Sequence, residues 1–397
     1  VLALWSLGVV LAQRCGQTRV VLVVAHVLEQ SEATVRQRLR EWCYAASDKA
    51  GSRRGVKRRA VEIEACFAPL LGWVRAQWTS PDRRLALALD ASTLGARFTV
   101  LALSVLYRGC ALPVAWVVVR AQEPGAWRPQ WEYLLALLQH TIPSDWQVIA
   151  CADRGLYAPW LFQAMVACGW HPFLRINSGG GCGVYQVDDG RPDGRTDAAW
   201  QLVSGLLPQV GAQWCGRVRC FREQTLSCTL LARWLPCYAE GWIVLTDLPP
   251  GEADVAWYAL RTWIEAGFKD TKRGGWQWQA TRMTDPERVA RFWLVLAVAT
   301  LWVVCVGSAD EDAQPRAHPE ALPTQHVARR AARRAARRAA RRAAGSAAPV
   351  RQRIASVFRR GLTVLGLAWG MGQCWPQGGL RPAPWPTPPV SDPETYP

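Results

Sequence analysis

Between residues 85 and 176 the chain lays down apolar runs in an order that few architectures accept. "LALALD" (85–90), "FTVLALSVLYRG" (98–109) and "ALPVAWVVVRA" (111–121) are rich in β-formers, and the last two are joined at Arg108–Gly109–Cys110. "PQWEYLLALLQH" (129–140) has helical periodicity. "WQVIACAD" (146–153) is another buried strand, "APWLFQAMVACG" (158–169) a helix, and "HPFLRI" (171–176) a strand. The order β-β-β-α-β-α-β, with runs apolar on both faces, predicts an α/β sheet covered on both sides.

The flanking sequence divides the chain further. Residues 1–80 read as a helical N-terminal domain. Within it "SEATVRQRLREWCY" puts Val35, Leu39, Trp42 and Cys43 on one side and Arg36, Arg38 and Arg40 around the rest, as in a helix-turn-helix unit or a basic surface helix of a bundle. The basic loop 47–59, "SDKAGSRRGVKRR", suits phosphate contact or a solvated linker. Residues 81–177 form the first part of the α/β core, and 178–249, with short strands and many turns, an all-β insertion. Residues 250–307 complete the core. Residues 308–397 hold "ARRAARRAARRAARRAA", a possible helix in "VRQRIASVFRRGLTVLGLAW", and a proline-rich tail. The repeat has a unit of four residues, which does not match the helical period of 3.6, so its arginines define no face. It is expected to be disordered or a lone basic helix.

Charge points to a partner. The net charge is +16 and the sequence pI about 9.7, a surplus that favours a polyanion, nucleic acid above all. Thirteen scattered cysteines without a C-x-x-C pair read as reduced thiols of a cytoplasmic protein. Cys215, Cys220, Cys228 and Cys237 cluster loosely, at spacings that suit zinc poorly. "VLALWSLGVVLA" lacks the basic start and cleavage site of a signal peptide. "FWLVLAVATLWVVCVG" (292–307) is shorter than the roughly 20 residues a membrane span needs, so it reads as a buried core helix capped by Asp285 with Pro286 in its first turn. No membrane partner is expected.

The most specific stretch is "WYALRTWIEAGFKDTKRGGWQWQ" (257–279). Read as one helix at about 100° per residue, it places Tyr258, Arg261, Glu265 and Lys272 within about 60° of arc. Ala256, Leu260, Trp263, Ile264 and Gly267 lie on the opposite, apolar side. A solvated face with a Glu–Lys pair accounts for most such stripes, but it needs neither a tyrosine nor one acid between two bases. A polyanion held beside a metal-binding carboxylate needs all of them. Asp90 and Asp153 each close an apolar run. Each alone is an ordinary strand-end turn residue; together with Glu265 they form a set of carboxylates whose mutual repulsion a divalent metal relieves. Two such ions can activate water and stabilise the leaving oxygen of a phosphodiester.

In these features the chain resembles the DDE transposases of insertion-sequence family four, marked by Y-x2-R-x3-E-x6-K. Tyr258, Arg261, Glu265 and Lys272 keep that spacing without deviation, and "LALDAST" and "ACADRGLY" stand where the first two acids belong. The resemblance covers roughly residues 20–307 and extends to the helix near 350–370.

The resemblance implies an RNase H-like catalytic core interrupted by a β insertion before the catalytic helix. It implies Asp90, Asp153 and Glu265 as catalytic ligands of Mg²⁺, with Mn²⁺ as a substitute, and Tyr258, Arg261 and Lys272 as DNA-binding residues at the transposon end. It also implies double-stranded DNA as partner, both transposon ends and target, a homodimer in the synaptic complex, and a place in the cytoplasm at the nucleoid. A tryptophan of the insertion could stack on a flipped base, with Trp200, Trp214, Trp234 and Trp242 as candidates. Asp247, which ends "GWIVLTD", lacks a basic stripe and ranks below Glu265 as third acid. The rival readings are a decayed or domesticated transposase that only binds DNA, and a structure-specific nuclease on the same fold.

Overall fold

The computed structural model describes residues 1–49, 59–123, 125, 127–176, 183–188, 198–235, 238, 240–313 and 355–386. The arginine repeat, most of the basic loop 47–59 and the tail from 387 lie outside the described residues. Those described form two compact units: 1–147 with 263–313 and 355–382, and 148–262 with 383–386.

The first unit opens with four helices, α1 (Leu2–Ala12), α2 (Gln17–Leu28), α3 (Glu32–Cys43) and α4 (Phe67–Ala76). A three-residue turn joins α2 to α3. Glu29 takes the left-handed conformation that ends α2, and the Ser31 hydroxyl accepts the Thr34 amide at 3.3 Å to start α3. Val35, Leu39 and Cys43 are buried, as their spacing predicts.

Three antiparallel strands follow, β1 (Arg84–Leu94), β2 (Phe98–Tyr107) and β3 (Cys110–Arg120), in the order β3-β2-β1. Every residue of β2 is buried, which is why its sequence runs apolar without alternation. The β2–β3 hairpin turns on Arg108 and Gly109, both at positive φ (41° and 77°), the requirement of a tight two-residue turn that matches strand twist. The Arg108 side chain is buried and meets Asp312 at 2.7 Å and Glu311 at 3.4 Å.

Helices α5 (Arg128–Leu138), α7 (Trp263–Thr271), α8 (Pro286–Ala313) and α9 (Val357–Gly370) complete this unit. The sequence suggested a core helix too short to span a membrane; α8 has 28 residues and is long and apolar enough to cross one. Yet 83% of its most apolar window is buried inside the protein, packed against β3, α1, α3 and α9. Apolar all round, it is the centre of the core. The Asp285 carboxylate caps it by accepting the Arg288 amide at 2.9 Å. Helix α9 starts at Ser356, whose hydroxyl accepts the Arg359 amide. It crosses α8 through reciprocal glycines: a Cβ at Gly361 would overlap the Val303 carbonyl, and one at Gly307 the Val357 carbonyl.

In the second unit β4 (Gln147–Ala152) and β5 (His171–Arg175) are parallel, linked through α6 (Pro159–Ala167). Then come β6 (Val184–Val187), β7 (Gln201–Leu202), β8 (Gln213–Cys220), β9 (Leu226–Arg233) and β10 (Trp242–Thr246), giving the order β4-β5-β10-β9-β8-β6-β7. Strand β10 pairs with both β5 and β9, so the strand-rich segment is hydrogen-bonded into the sheet that holds the parallel pair.

The α8–α9 crossing yields a stability test. Gly361→Ala forces a methyl against backbone, and overpacking of this kind costs about 1–3 kcal/mol. Thermal melting should fall by roughly 3–10 °C. Gly72→Ala, in α4 where a Cβ meets nothing within 4 Å, should instead gain about 0.5–1 kcal/mol. Equal melting temperatures for Gly361→Ala and the wild type would contradict the close crossing.

Candidate functional site

The signature segment is two helices in series. Val255–Thr262 is a 3₁₀ helix and Trp263–Thr271 is α7. The tighter winding has local causes. The Asp254 carboxylate accepts the Ala256 amide at 2.8 Å, and the Thr262 hydroxyl donates to the Ala259 carbonyl three residues back at 2.8 Å. The single continuous α-helical stripe expected from the sequence is therefore corrected. Tyr258 and Arg261 stand three apart in a 3₁₀ helix, where such pairs eclipse. Glu265 lies on α7, and Lys272 is one residue past its end. The apolar side does hold: Ala256, Leu260, Trp263, Ile264 and Gly267 are all buried.

Tyr258, Arg261 and Asp153 belong to the second unit. Asp153 directly follows β4 and caps a one-turn 3₁₀ helix, Oδ1 accepting the Gly155 amide at 2.9 Å. Its other oxygen, Oδ2, takes the Arg261 guanidinium at 3.1 Å. Arg261 is buried, with 9% of its surface exposed. Tyr258 is buried too; its hydroxyl donates to the Ala152 carbonyl at 3.4 Å, and its ring meets Trp242 edge-on. Burial pushes the Tyr258 hydroxyl well above its ordinary pKa, against the pull of Arg261 and Arg175, so it acts as a neutral donor. These two signature residues thus brace the strand end that carries Asp153 and are no solvated face.

Asp90, Glu265 and Lys272 belong to the first unit. Asp90 does not end its strand, as its run suggested. It sits within β1, paired with Ala102, and the strand continues to Leu94. Residues 85–89 are buried without interruption; from Asp90 onward burial is intermittent, so the continuation reads as polar in sequence. The Asp90 carboxylate accepts the Ala91 amide at 2.8 Å. Glu265 is exposed in the first turn of α7, where the helix dipole favours a negative charge. Lys272 donates to the Ser92 hydroxyl at 2.8 Å and to the Thr93 carbonyl at 2.6 Å, and partial burial lowers its pKa. It ties the end of α7 to β1 just beyond Asp90. At Gly267 the helix lies so close to β3 that a Cβ would stand 2.6 Å from that of Ala111.

Asp247 is occupied otherwise, 3.0 Å from His171 Nδ1. That pair joins β10 to β5 and was not visible in sequence, its members being 76 residues apart. Of the tryptophans, Trp242 is buried between Tyr238 and Tyr258. Trp200, Trp214 and Trp234 are half-buried. Cys220 and Cys228 are buried with their thiols in contact, Cys215 is exposed, and Cys237 lies outside the described residues. Among the described residues no three His, Cys, Asp or Glu side chains form a group able to hold a metal ion. Asp153 is engaged by Arg261.

A family model described as Transposase DDE domain matches residues 83–302. That is more than half of the chain, and the chain belongs to the DDE transposase family, whose activities are those of nucleases and strand transferases and which generally uses divalent metals. Asp90, Asp153, Glu265 and the other three signature residues all fall inside the match. No curated protein matches the chain. One solved structure, a cryo-EM structure of the piggyBac transposase synaptic complex with hairpin DNA, is similar at 11% identity and a TM-score of 0.30. The likeness covers 56% of this chain and 48% of that one, so this chain spans about half the length of its neighbour. It is too loose to bear on the site.

Asp270, on α7 between Glu265 and Lys272, gives a pH test. Burial raises its carboxyl from an ordinary 3.8 to about 7, although Arg359 and Lys269 pull the other way. A raised carboxyl binds its proton more tightly in the folded state. Its stabilising contribution is present below the unfolded value and is lost as pH rises through the folded one. Asp270→Asn should therefore melt progressively higher relative to the wild type as pH rises from about 4 to about 8. A melting difference that is flat across that window would show Asp270 to be well solvated.

Proposed function

We propose that the chain is the transposase of a bacterial insertion sequence, cutting and joining DNA at the element's terminal inverted repeats. The observation that carries the reading is the family match over residues 83–302, inside which Tyr258, Arg261, Glu265 and Lys272 keep the spacing of the insertion-sequence-four signature. In this reading the fold is an RNase H-like core with a β insertion ahead of α7, and Asp90, Asp153 and Glu265 act on one phosphodiester. Magnesium, or manganese in its place, is the metal these carboxylates would hold, and it would supply an activated water and a counter-charge for the leaving oxygen.

The chain's own residues prepare that state. The ion pair between Arg261 and Asp153 holds a carboxylate in place at the end of an apolar strand before DNA arrives. A DNA phosphate can compete with a carboxylate for a guanidinium, since both carry a full charge and accept it bidentately. When the transposon end binds, Arg261 passes to the phosphate and Asp153 is released for metal. Tyr258, buried and bonded to the Ala152 carbonyl, holds the end of β4 in place, and Lys272, anchored to β1 just beyond Asp90, steadies the DNA strand. Positioning and charge stabilisation, rather than a covalent intermediate, do the catalytic work. The partners are double-stranded DNA and, in the synaptic complex, a second copy of the chain. The reaction takes place in the cytoplasm at the nucleoid.

Asp90→Asn, Asp153→Asn and Glu265→Gln should each abolish Mg²⁺-dependent strand cleavage of a plasmid carrying the element's ends while leaving end binding nearly intact, because shape is kept and ligand charge removed. Substantial cleavage by any one of the three variants would remove that acid from the site. Deleting residues 328–344, which carry eight arginines and no acid, should flatten the salt dependence of binding to unrelated DNA and spare end-specific cleavage. Loss of end recognition with an unchanged salt slope would make the repeat a specificity element instead.

A further inference from the structure

A second basic feature lies wholly inside the first unit and includes none of the signature residues. The α1–α2 turn, the end of α3, the segment 277–285 and the first turns of α8 enclose a concavity of about 640 Å³. Arg14, Arg19, Arg40 and Arg282 line it, brought together from three separate places in the sequence. Among the described residues none of these four has a carboxylate partner. Arg288, also on the wall, lies 4.3 Å over the Tyr44 ring and reaches Asp48 at 3.1 Å. One carboxylate lines the space, that of Asp285, which is spent on capping α8.

Like charges gathered around a concavity repel one another, and low-dielectric walls sharpen their field. A bound anion relieves that repulsion. The wall also contains the start of α2, whose N-cap is Gly16 and has no side-chain cap, so its first amides point outward with the positive end of the helix dipole. The floor is apolar: Trp5 and Phe292, both buried, with ring centres 5.1 Å apart. The volume falls in the range of small-molecule sites, about 300–1,000 Å³. It exceeds what a bare phosphate needs and is too small to admit a duplex.

We propose that this concavity docks a DNA strand, with Arg14, Arg19, Arg40 and Arg282 on successive phosphates and one nucleotide-sized group above the apolar floor. The identity of the polyanion rests on the reading of the chain as a DNA transposase; the site itself rests on the four arginines. It is distinct from the signature residues and would hold the strand through N-terminal helices and family domain together.

The test compares three full-length proteins: wild type, a triple variant (Arg14→Ala, Arg40→Ala, Arg282→Ala), and a control triple of exposed arginines outside the concavity (Arg83→Ala, Arg120→Ala, Arg128→Ala). Anisotropy of a fluorescein-labelled duplex with a single-stranded overhang is followed between about 50 and 200 mM salt. Each lost phosphate contact removes roughly 0.7–0.9 from the slope of log affinity on log salt. The concavity triple should therefore lose about 2–3 units of slope and bind at least tenfold more weakly, with the control close to wild type. Should the triple melt early, Arg14→Gln and Arg282→Gln singly carry the test, each expected to lose roughly 0.7–0.9 units of slope. Wild-type binding by the concavity variants, or equal loss in both triples, overturns the site while leaving the transposase reading standing. Failure of the wild type to bind DNA overturns both. If inorganic phosphate raises the wild-type melting temperature through these arginines and DNA affinity ignores them, the site serves a free phosphate and the proposal is wrong.

Discussion

The ion pair between Arg261 and Asp153 is the contact on which the proposed reading of this chain turns. Strand β4 is buried along nearly its whole length, and Asp153, half-exposed just beyond its end, is paired with a cation. The guanidinium that answers it comes from a 3₁₀ helix whose other signature residue, Tyr258, bonds back to the same strand at Ala152. The first unit solves the same problem with the opposite sign. Lys272 is brought to the edge of β1, and a hydroxyl and a carbonyl receive it. In both places a charge is held in a fixed position at the end of an apolar surface, which is the preparation that phosphoryl transfer asks of a protein.

Much of the framework could be read from the sequence because burial on both faces leaves a plain mark. The unbroken apolar runs of β2 and β4 became buried strands, and the Asp285–Pro286 start of α8 was a local capping signal. The stripe of Tyr258, Arg261, Glu265 and Lys272 was read as lying on one helix, which the 3₁₀ segment Val255–Thr262 ahead of α7 corrects. Periodicity assumes a constant turn angle, and the Thr262 hydroxyl and the Asp254 cap shift the first half to three residues per turn. Asp90 looked terminal because "ASTL" after it is polar, although pairing with β2 carries the strand on. The role of Lys272 was hidden by distance, its partner Ser92 lying 180 residues earlier. The same holds for the His171–Asp247 pair and for the arginine concavity, whose members are neighbours only in space.

In the proposed reading, DNA binding releases Asp153 from the ion pair that engages it in this structure. Such a release would link metal and DNA in both directions: DNA would raise metal affinity, and metal would raise DNA affinity by the same factor. Linkage of that kind restrains a strand-cutting enzyme when its proper end is absent.

That coupling is open to direct measurement. Uptake of Mn²⁺ from solution can be followed by the loss of its free-ion paramagnetic resonance signal, with the protein alone, with DNA alone and with both. The account predicts weak uptake by the protein alone and an increment with DNA that exceeds the sum of the two, abolished in Asp153→Asn. Strong uptake without DNA, or an increment that Asp153→Asn leaves unchanged, would contradict it.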